Sequence, residues 1–127
     1  MLTGVQVVLA GGDARQLEVI RRLTEFDASV TIAGVDRLDM AFPGVTRADW
    51  TPGILAEADA LLLPAVGTED DGTISAVFTD RELKLTDEHV SAMPKTSKIY
   101  AGMAKAYLRN LCEKYHVGLV ELFERDD

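Results

Sequence analysis

The chain has 127 residues, of which 47% are hydrophobic and 27% charged, with a formal net charge of −8. This size and composition are typical of one soluble domain with a buried core, and they exclude a disordered chain. The 21 acidic residues outnumber the 13 basic ones, so we expect no nucleic-acid partner and no anionic membrane partner, because phosphate groups repel an acidic surface.

The first 34 residues predict a β-α-β unit. Residues 5–10 are a β-branched apolar run that stops at Gly11, and residues 13–26 carry apolar side chains at helical spacing. Residues 29–33 form a second strand-like run, closed by Gly34. Such a unit implies two parallel strands joined by a right-handed crossover.

The middle of the chain is less regular. Prolines and glycines interrupt residues 36–57 and leave room for a short helix near residues 54–58. Residues 60–64 are the most apolar run and predict a central strand, which a polar loop at 67–73 follows. Residues 74–85 alternate weakly, which fits either a hairpin or a small excursion from the sheet.

Further elements are predicted in the last third of the chain. Thr86 is a plausible N-cap of a helix that Pro94 ends. Residues 97–101 predict a strand, 103–115 a helix and 117–123 a last strand. The whole alternation predicts a flavodoxin-like, doubly wound α/β domain, with a mostly parallel sheet of about five strands and helices on both faces.

Histidine and cysteine usage argues against a metal site and an intramolecular disulfide. Cys112 is the only cysteine and is expected in the core, whereas His89 is expected on a solvated face and His116 at a helix end. The two histidines do not have metal-ligand spacing. The N-terminus lacks a signal-peptide pattern, and no apolar run approaches the roughly 20 residues that span a bilayer. We therefore expect a cytoplasmic protein without a metal.

Glycine-containing loops follow three of the predicted strands, at residues 11–16, 64–68 and 100–103. In open parallel sheets ligands bind beyond the carboxyl ends of the strands. Glycine lets a ligand approach the backbone closely, although glycines also simply end strands. Three such loops on one edge favour a ligand-binding or domain-interface edge.

The first loop does not fit a dinucleotide. The second and third glycines of a G-x-G-x-x-G motif are absent, and Asp13 brings a negative charge to the place of a phosphate. Asp36 beyond the second strand is weak evidence for a ribose site. Asp13 is equally well explained as a cap of the following helix.

Polar side chains of these loops suggest a carboxylate site. Arg15 can present its guanidinium fork to a carboxylate, although an exposed arginine in a first helical turn is just as common. Thr68 can donate a hydroxyl to the same site. Asp13 is an outside candidate for a catalytic acid or base, because an ionisable group in the crevice can relay a proton.

Six strings resemble the N-terminal domain of the dipicolinate synthase A-subunit family. They are MLTG at 1–4, GGDARQLE at 11–18, Pro64 with Gly67-Thr68, VF at 77–78, KIYAG at 98–102 and LFERDD at 122–127. The resemblance covers residues 1–127 as one N-terminal, substrate-side domain. It implies a fold similar to the catalytic domain of formate and glycerate dehydrogenases.

The resemblance also implies an activity. Family members are dehydrogenase-like oxidoreductases that bind NAD or NADP in a C-terminal Rossmann domain, so no cofactor is expected in this domain, which should be inactive alone. They work with a flavoprotein-like second subunit to make dipicolinate in the mother cell of sporulating bacteria. The implied substrate is a cyclic hydroxy-tetrahydrodipicolinate, which carries two carboxylates.

A dianionic substrate in an acidic protein needs local positive charge or backbone donors. The candidate substrate-binding residues are Gly12, Asp13, Arg15, Gln16, Gly67, Thr68 and Gly102. The alternative is a docking module for the second subunit or for another protomer in a homo-oligomer. A substrate domain should show a crevice lined by residues 11–16, 64–68 and 100–103, whereas a docking module should expose an apolar patch elsewhere.

Overall fold

The computed structural model describes residues 1–40 and 42–123. Its strands are β1 (Gln6–Ala10), β2 (Ser29–Ala33), β3 (Val45–Arg47), β4 (Ala60–Leu62), β5 (Thr73–Ile74), β6 (Leu83–Lys84), β7 (Lys98–Ala101) and β8 (Gly118–Glu121). Its helices are α1 (Arg15–Glu25), α2 (Asp87–Ala92) and α3 (Ala106–Tyr115), with a 3-10 turn at Pro52–Leu55. The last four residues of the LFERDD string, 124–127, lie outside the described residues.

Six of these strands form one parallel sheet in the order β3-β2-β1-β4-β7-β8. The predicted doubly wound α/β fold is confirmed, with each of the five predicted strands in the sheet. The sixth strand, β3, was not predicted, because its three residues form a partly exposed edge strand with no apolar run. Between β1 and β4 the strand order reverses, which makes that junction the topological switch point.

Helices cover both faces of the sheet because the two halves of the chain wind in opposite directions. Val7 and Leu9 of β1 face the α1 side, whose core includes Ile20. Val8 and Ala10 face the other side, which α2 and α3 cover. Right-handed crossovers require this division once the strand order reverses. No helix in residues 1–40 or 42–123 is long and apolar enough to cross a membrane.

The segment 74–85 folds as an antiparallel pair, β5 with β6, which is the first of its two sequence interpretations. It lies against the carboxyl end of β1, where Ser75 accepts a hydrogen bond from the Gly12 amide at 2.7 Å and Val77 donates to the Gly12 carbonyl at 3.1 Å. A Cβ on Gly11 would lie 2.5 Å from the Ser75 carbonyl oxygen. The glycine at the end of β1 therefore makes room for this segment.

The N-terminus of α2 is capped as predicted, but the burial of His89 was not predicted. Thr86 accepts from the His89 amide at 3.4 Å, and the His89 Nδ1 lies 2.7 Å from the Thr86 hydroxyl. His89 is only 6% exposed, and its ring stacks on Trp50 with centroids 4.4 Å apart. The prediction of a solvated His89 is wrong, because the capping interaction turns the ring toward Trp50.

Cys112 is buried in the core beneath α3, which confirms its predicted place. Desolvation raises the pKa of its thiol to about 11. A thiol with such a pKa stays protonated and unreactive near neutral pH.

Candidate functional site

A cleft of about 320 Å³ lies at the switch point, between the loop after β1 and the loop after β4. We call it the switch-point cleft. We call its polar lining residues the polar wall and its apolar lining residues the apolar wall. The polar wall contains Asp13, Arg15, Gln16, Thr73 and Ser75, and the apolar wall contains Pro64, Ala65, Val66, Leu122 and Phe123. The carboxyl edge predicted from the glycine loops is therefore where the structure has its cleft.

Six of the seven predicted substrate-binding residues line the cleft. They are Gly12, Asp13, Arg15, Gln16, Gly67 and Gly102. Thr68 is different: it is 1% exposed and is not among the lining residues. Its hydroxyl has no hydrogen-bond partner within the described part of the chain. The structure thus brings the predicted loops together but buries this threonine beside the cleft.

Asp13 and Arg15 form a two-point ion pair at the start of α1. The Arg15 guanidinium donates from Nε to Oδ1 at 3.1 Å and from Nη2 to Oδ2 at 2.9 Å. Both side chains face solvent, with 75% of Arg15 and 41% of Asp13 exposed. The hydrogen bonds from the Arg15 side chain and amide hold the pKa of Asp13 below its ordinary value. Asp13 is therefore a carboxylate at neutral pH.

Asp13 also accepts a hydrogen bond from a backbone amide in the first turn of α1. The N-cap position is Ala14, which has no side-chain acceptor. Asp13 Oδ1 accepts from the Arg15 amide at 2.9 Å and so satisfies a donor of the first turn. The sequence interpretation of Asp13 as a cap is correct in effect, with the carboxylate one residue before the N-cap.

Backbone amides near Gly12, Gly67 and Gly102 were predicted to provide anion donors. The Gly12 amide instead donates to Ser75, and the Gly67 amide donates to the Pro64 carbonyl at 2.8 Å, closing a tight turn. The amides of Ala65 and Val66 within this turn have no acceptor among residues 1–40 and 42–123. The Ala65 and Val66 amides are therefore candidate donors to a ligand, whereas the amides of Gly12 and Gly67 are already engaged.

The apolar wall is held by backbone bonds that continue beyond β8. The Leu122 amide donates to Ala101 at 2.8 Å and the Phe123 amide to Gly102 at 2.9 Å. A Cβ on Gly102 would lie 2.6 Å from the Phe123 ring, so the missing side chain of this glycine lets the ring lie against the backbone. Leu122, Phe123 and Val66 are all about half exposed. They expose apolar surface in the same cleft that Arg15 lines.

A second carboxylate, Glu69, also lines the cleft. Lys105 donates to its Oε2 at 2.7 Å, and this contact raises the pKa of the lysine. Lys105 offsets the charge of Glu69, as Arg15 offsets that of Asp13, so each carboxylate that lines the cleft is held in an ion pair. Residues 1–40 and 42–123 contain no group of three His, Cys, Asp or Glu side chains placed to hold a metal.

Two backbone amides of the loop after β1 are engaged within the protein. A pyrophosphate at this position would need the amides at the start of α1. The Gly12 amide is taken by Ser75 and the Arg15 amide by Asp13, whose carboxylate would repel a phosphate. Asp36 lies in a separate hollow, where it accepts from Thr79 at 2.8 Å.

Several cleft residues were not predicted. Thr73 and Ser75 reach the cleft only because the β5–β6 segment folds back onto β1, which the sequence did not indicate. Leu122 and Phe123 follow the last strand directly, so the rule that ligands bind beyond carboxyl ends could have found them. Glu69 belongs to the polar loop at 67–73, whose composition alone indicated no role.

Comparisons with known proteins agree with one another. The family model for the N-terminal domain of the dipicolinate synthase A subunit matches residues 6–123. The dipicolinate synthase A subunit of Bacillus subtilis (strain 168) is 39% identical over 127 residues, which is all of this chain and 43% of that protein. The chain thus spans less than half the length of this relative.

Solved structures give the same result. The 2.10 Å crystal structure of the dipicolinate synthase A subunit from Bacillus halodurans matches with a TM-score of 0.92 and 42% identity. The crystal structure of the corresponding protein from Bacillus subtilis matches with a TM-score of 0.92 and 39% identity. Each match covers all of this chain and 43% of the other. The chain therefore belongs to the family of N-terminal domains of the dipicolinate synthase A subunit.

Proposed function

We propose that this chain is the substrate-side domain of a dipicolinate synthase A subunit, in which the switch-point cleft binds a cyclic dicarboxylate. The substrate would be a cyclic hydroxy-tetrahydrodipicolinate. The observation that carries the proposal is that Arg15 and the apolar side chains Val66, Leu122 and Phe123 line one cleft at the switch point. A small ring with carboxylate substituents needs this combination of surfaces.

Each wall has a separate task in this proposal. The Arg15 guanidinium pairs with one carboxylate, for which its planar fork is suited. The open amides of Ala65 and Val66 donate to the second carboxylate. Phe123 covers the ring, while Gly12, Gln16 and Gly102 shape the cleft. Thr68 is buried beside Gly67 and does not line the cleft, so it does not touch the ligand in this proposal.

The oxidoreductase activity would require the rest of the longer protein. The chain corresponds to 43% of the relatives it matches, and its own first loop is a poor phosphate site. We therefore propose that NAD or NADP is bound by the C-terminal part of such a protein and that the 127-residue domain alone is inactive. Asp13 is the proposed proton-relaying group, because it is the ionisable side chain beside Arg15 in the cleft.

Further parts of the proposal follow from family membership. The domain would act in the cytoplasm of the mother cell during sporulation, together with a flavoprotein-like second subunit or further copies of itself. A docking module without a ligand is the less favoured alternative. Of the exposed large apolar side chains, Val66, Leu122 and Phe123 line the cleft, whereas Met40 lines a separate hollow beside α1.

The test is a titration of the ¹⁵N-labelled 127-residue chain with pyridine-2,6-dicarboxylate, followed by NMR. We expect shifts confined to residues 12–16, 64–67, 102 and 122–123, and a loss of affinity of about tenfold or more in Arg15→Gln, because a charge-assisted bidentate contact is lost. Arg22→Gln is the matched control, since Arg22 is an exposed arginine of the same helix that pairs with Glu18 at 3.4 Å.

Two results would contradict the proposal. One is the absence of any shift at the cleft at saturating probe concentration. The other is binding of NAD or NADP at residues 11–15 of the isolated chain, which would make the first loop a cofactor site. Equal affinity in Arg15→Gln and Arg22→Gln would remove the assigned role of Arg15.

A further inference from the structure

We infer that Asp13 is an internal competitor for the ligand: its carboxylate holds the Arg15 fork in the empty cleft and is displaced when a ligand carboxylate binds. This inference rests on the proposed function, because it needs a carboxylate ligand. It goes further in assigning to Asp13 a control over affinity that its role as a helix cap does not require.

The geometry makes the two carboxylates exclusive. Asp13 occupies the Nε and Nη2 donors of Arg15 at once, which are the two parallel donors on one edge of the guanidinium. A ligand carboxylate that uses the same edge must take the place of Asp13. The other edge of the fork remains, so a ligand bound there would leave the pair intact. Removal of the Asp13 charge distinguishes these two arrangements, because only the first predicts a gain in affinity that depends on Arg15.

The Asp13–Arg15 ion pair is also weak enough for a ligand carboxylate to break it. Both side chains are exposed to solvent, and exposed ion pairs contribute little because water competes for each charge. Asp13 stays anchored after displacement, because its Oδ1 still accepts from the Arg15 amide. The exchange therefore requires a change in the Arg15 side chain only, with no movement of α1.

An internal competitor lowers the apparent affinity to the intrinsic affinity multiplied by the fraction of time for which the site is free of the competitor. Removing it should tighten ligand binding by about two- to fivefold, the range expected for an exposed ion pair. The gain must depend on Arg15, because it arises from freeing that side chain. A gain that came only from removing a negative charge near an anion would not depend on Arg15.

The experiment is a double-mutant cycle on the 127-residue chain, with pyridine-2,6-dicarboxylate as the probe and NMR titration to measure weak affinities. Asp13→Asn keeps an oxygen to accept from the Arg15 amide but loses the charge and the second acceptor for the fork. We expect Asp13→Asn to bind the probe about two- to fivefold more tightly than the unaltered chain. In the Arg15→Gln background the same substitution should change the affinity less than about 1.5-fold, because no fork is left to free.

Asp71→Asn is the matched control. Asp71 accepts from the Thr73 amide at 3.0 Å in the same type of local turn, and it does not line the cleft. This variant removes the same charge and should leave the affinity unchanged. If it tightens binding as much as Asp13→Asn, overall charge explains the effect and the inference is wrong.

The outcomes separate the inference from the function. If the unaltered chain binds the probe in the cleft but Asp13→Asn binds equally or more weakly, the competitor role is refuted and the proposed function stands. The same holds if the gain is equal with and without Arg15. If neither the unaltered chain nor any variant binds at the cleft, the proposed function fails and the inference fails with it.

Discussion

Two polar clusters of this domain are built in opposite ways. The Asp13–Arg15 pair lies on the open wall of the cleft, with both side chains in contact with solvent. In the Thr86–His89–Trp50 cluster His89 is buried between two half-buried residues, its ring stacks on Trp50, and the Trp50 indole donates to the Lys84 carbonyl at 2.7 Å. In the proposed function the exposed pair exchanges partners with a ligand, whereas the His89 cluster cannot open without loss of packing.

In the proposed function, the residues that stabilise the fold are therefore different from the residues that bind the ligand. Ion pairs exposed to water contribute little to the free energy of folding and re-form easily, whereas buried contacts fix one conformation. The backbone beneath the cleft belongs to the second kind, since the glycine at the end of β1 lies against the β5–β6 segment. Substitutions in the buried parts should therefore affect unfolding, and those in the exposed pair should affect ligand affinity.

The largest effect is expected for Gly11→Ala. Gly11 has φ +63°, and a Cβ there would lie 2.5 Å from the Ser75 carbonyl oxygen. We expect a loss of about 3 kcal/mol in the free energy of unfolding, from backbone strain together with steric overlap. Urea denaturation followed by circular dichroism measures it.

Gly44→Ala is the control for that substitution. Gly44 has φ +79°, but nothing lies within 4 Å of a Cβ at this position. It should cost only the strain of the left-handed backbone, about 1 kcal/mol. Equal losses in the two variants would show that the β5–β6 segment does not press on the end of β1.

His89→Ala should destabilise the domain by about 2 kcal/mol, because it removes one side of the capping box and the stacked ring. His89→Gln keeps a capping side chain and should recover about half of the loss. Urea midpoints measure both variants. Affinity for pyridine-2,6-dicarboxylate should not change, and a changed affinity would mean that the two clusters are coupled.

The buried cluster should also make stability depend on pH. Burial lowers the pKa of His89, and the Glu88 carboxylate opposes this only in part. The unfolded chain therefore binds more protons than the folded chain as the pH falls below the ordinary histidine pKa of about 6.5. The free energy of unfolding should fall as the pH drops through the ordinary histidine pKa of about 6.5, and less so in His89→Gln. Identical pH profiles for the two chains would contradict the assignment.

The smallest effect on stability is expected at the exposed pair. Arg15→Gln should leave the urea midpoint unchanged, because the pair is solvated and Asp13 keeps its bond to the backbone amide at residue 15. The same variant should lose ligand affinity. A large drop in stability would mean that the pair is structural, which would erase the contrast between the two clusters.

Local sequence patterns determined most of the elements. The apolar run before Gly11, the amphipathic residues of α1 and the cap at Thr86 each have a local physical cause, and each occurs where it was predicted. The doubly wound fold follows from their order, because right-handed crossovers leave few alternatives. The short edge strand β3 lacked such a pattern and was missed.

Only the tertiary structure decided what each polar side chain does. Asp13 and Arg15 were recognised as candidates from the sequence, but their pairing with each other depends on how α1 begins. The burial of His89 depends on Trp50, which lies 39 positions earlier in the chain. Likewise, Ser75 enters the cleft because its segment folds back onto Gly12. Periodicity and spacing report local conformation, whereas the His89–Trp50 and Ser75–Gly12 contacts join residues that are distant in sequence, so the packed fold alone sets them.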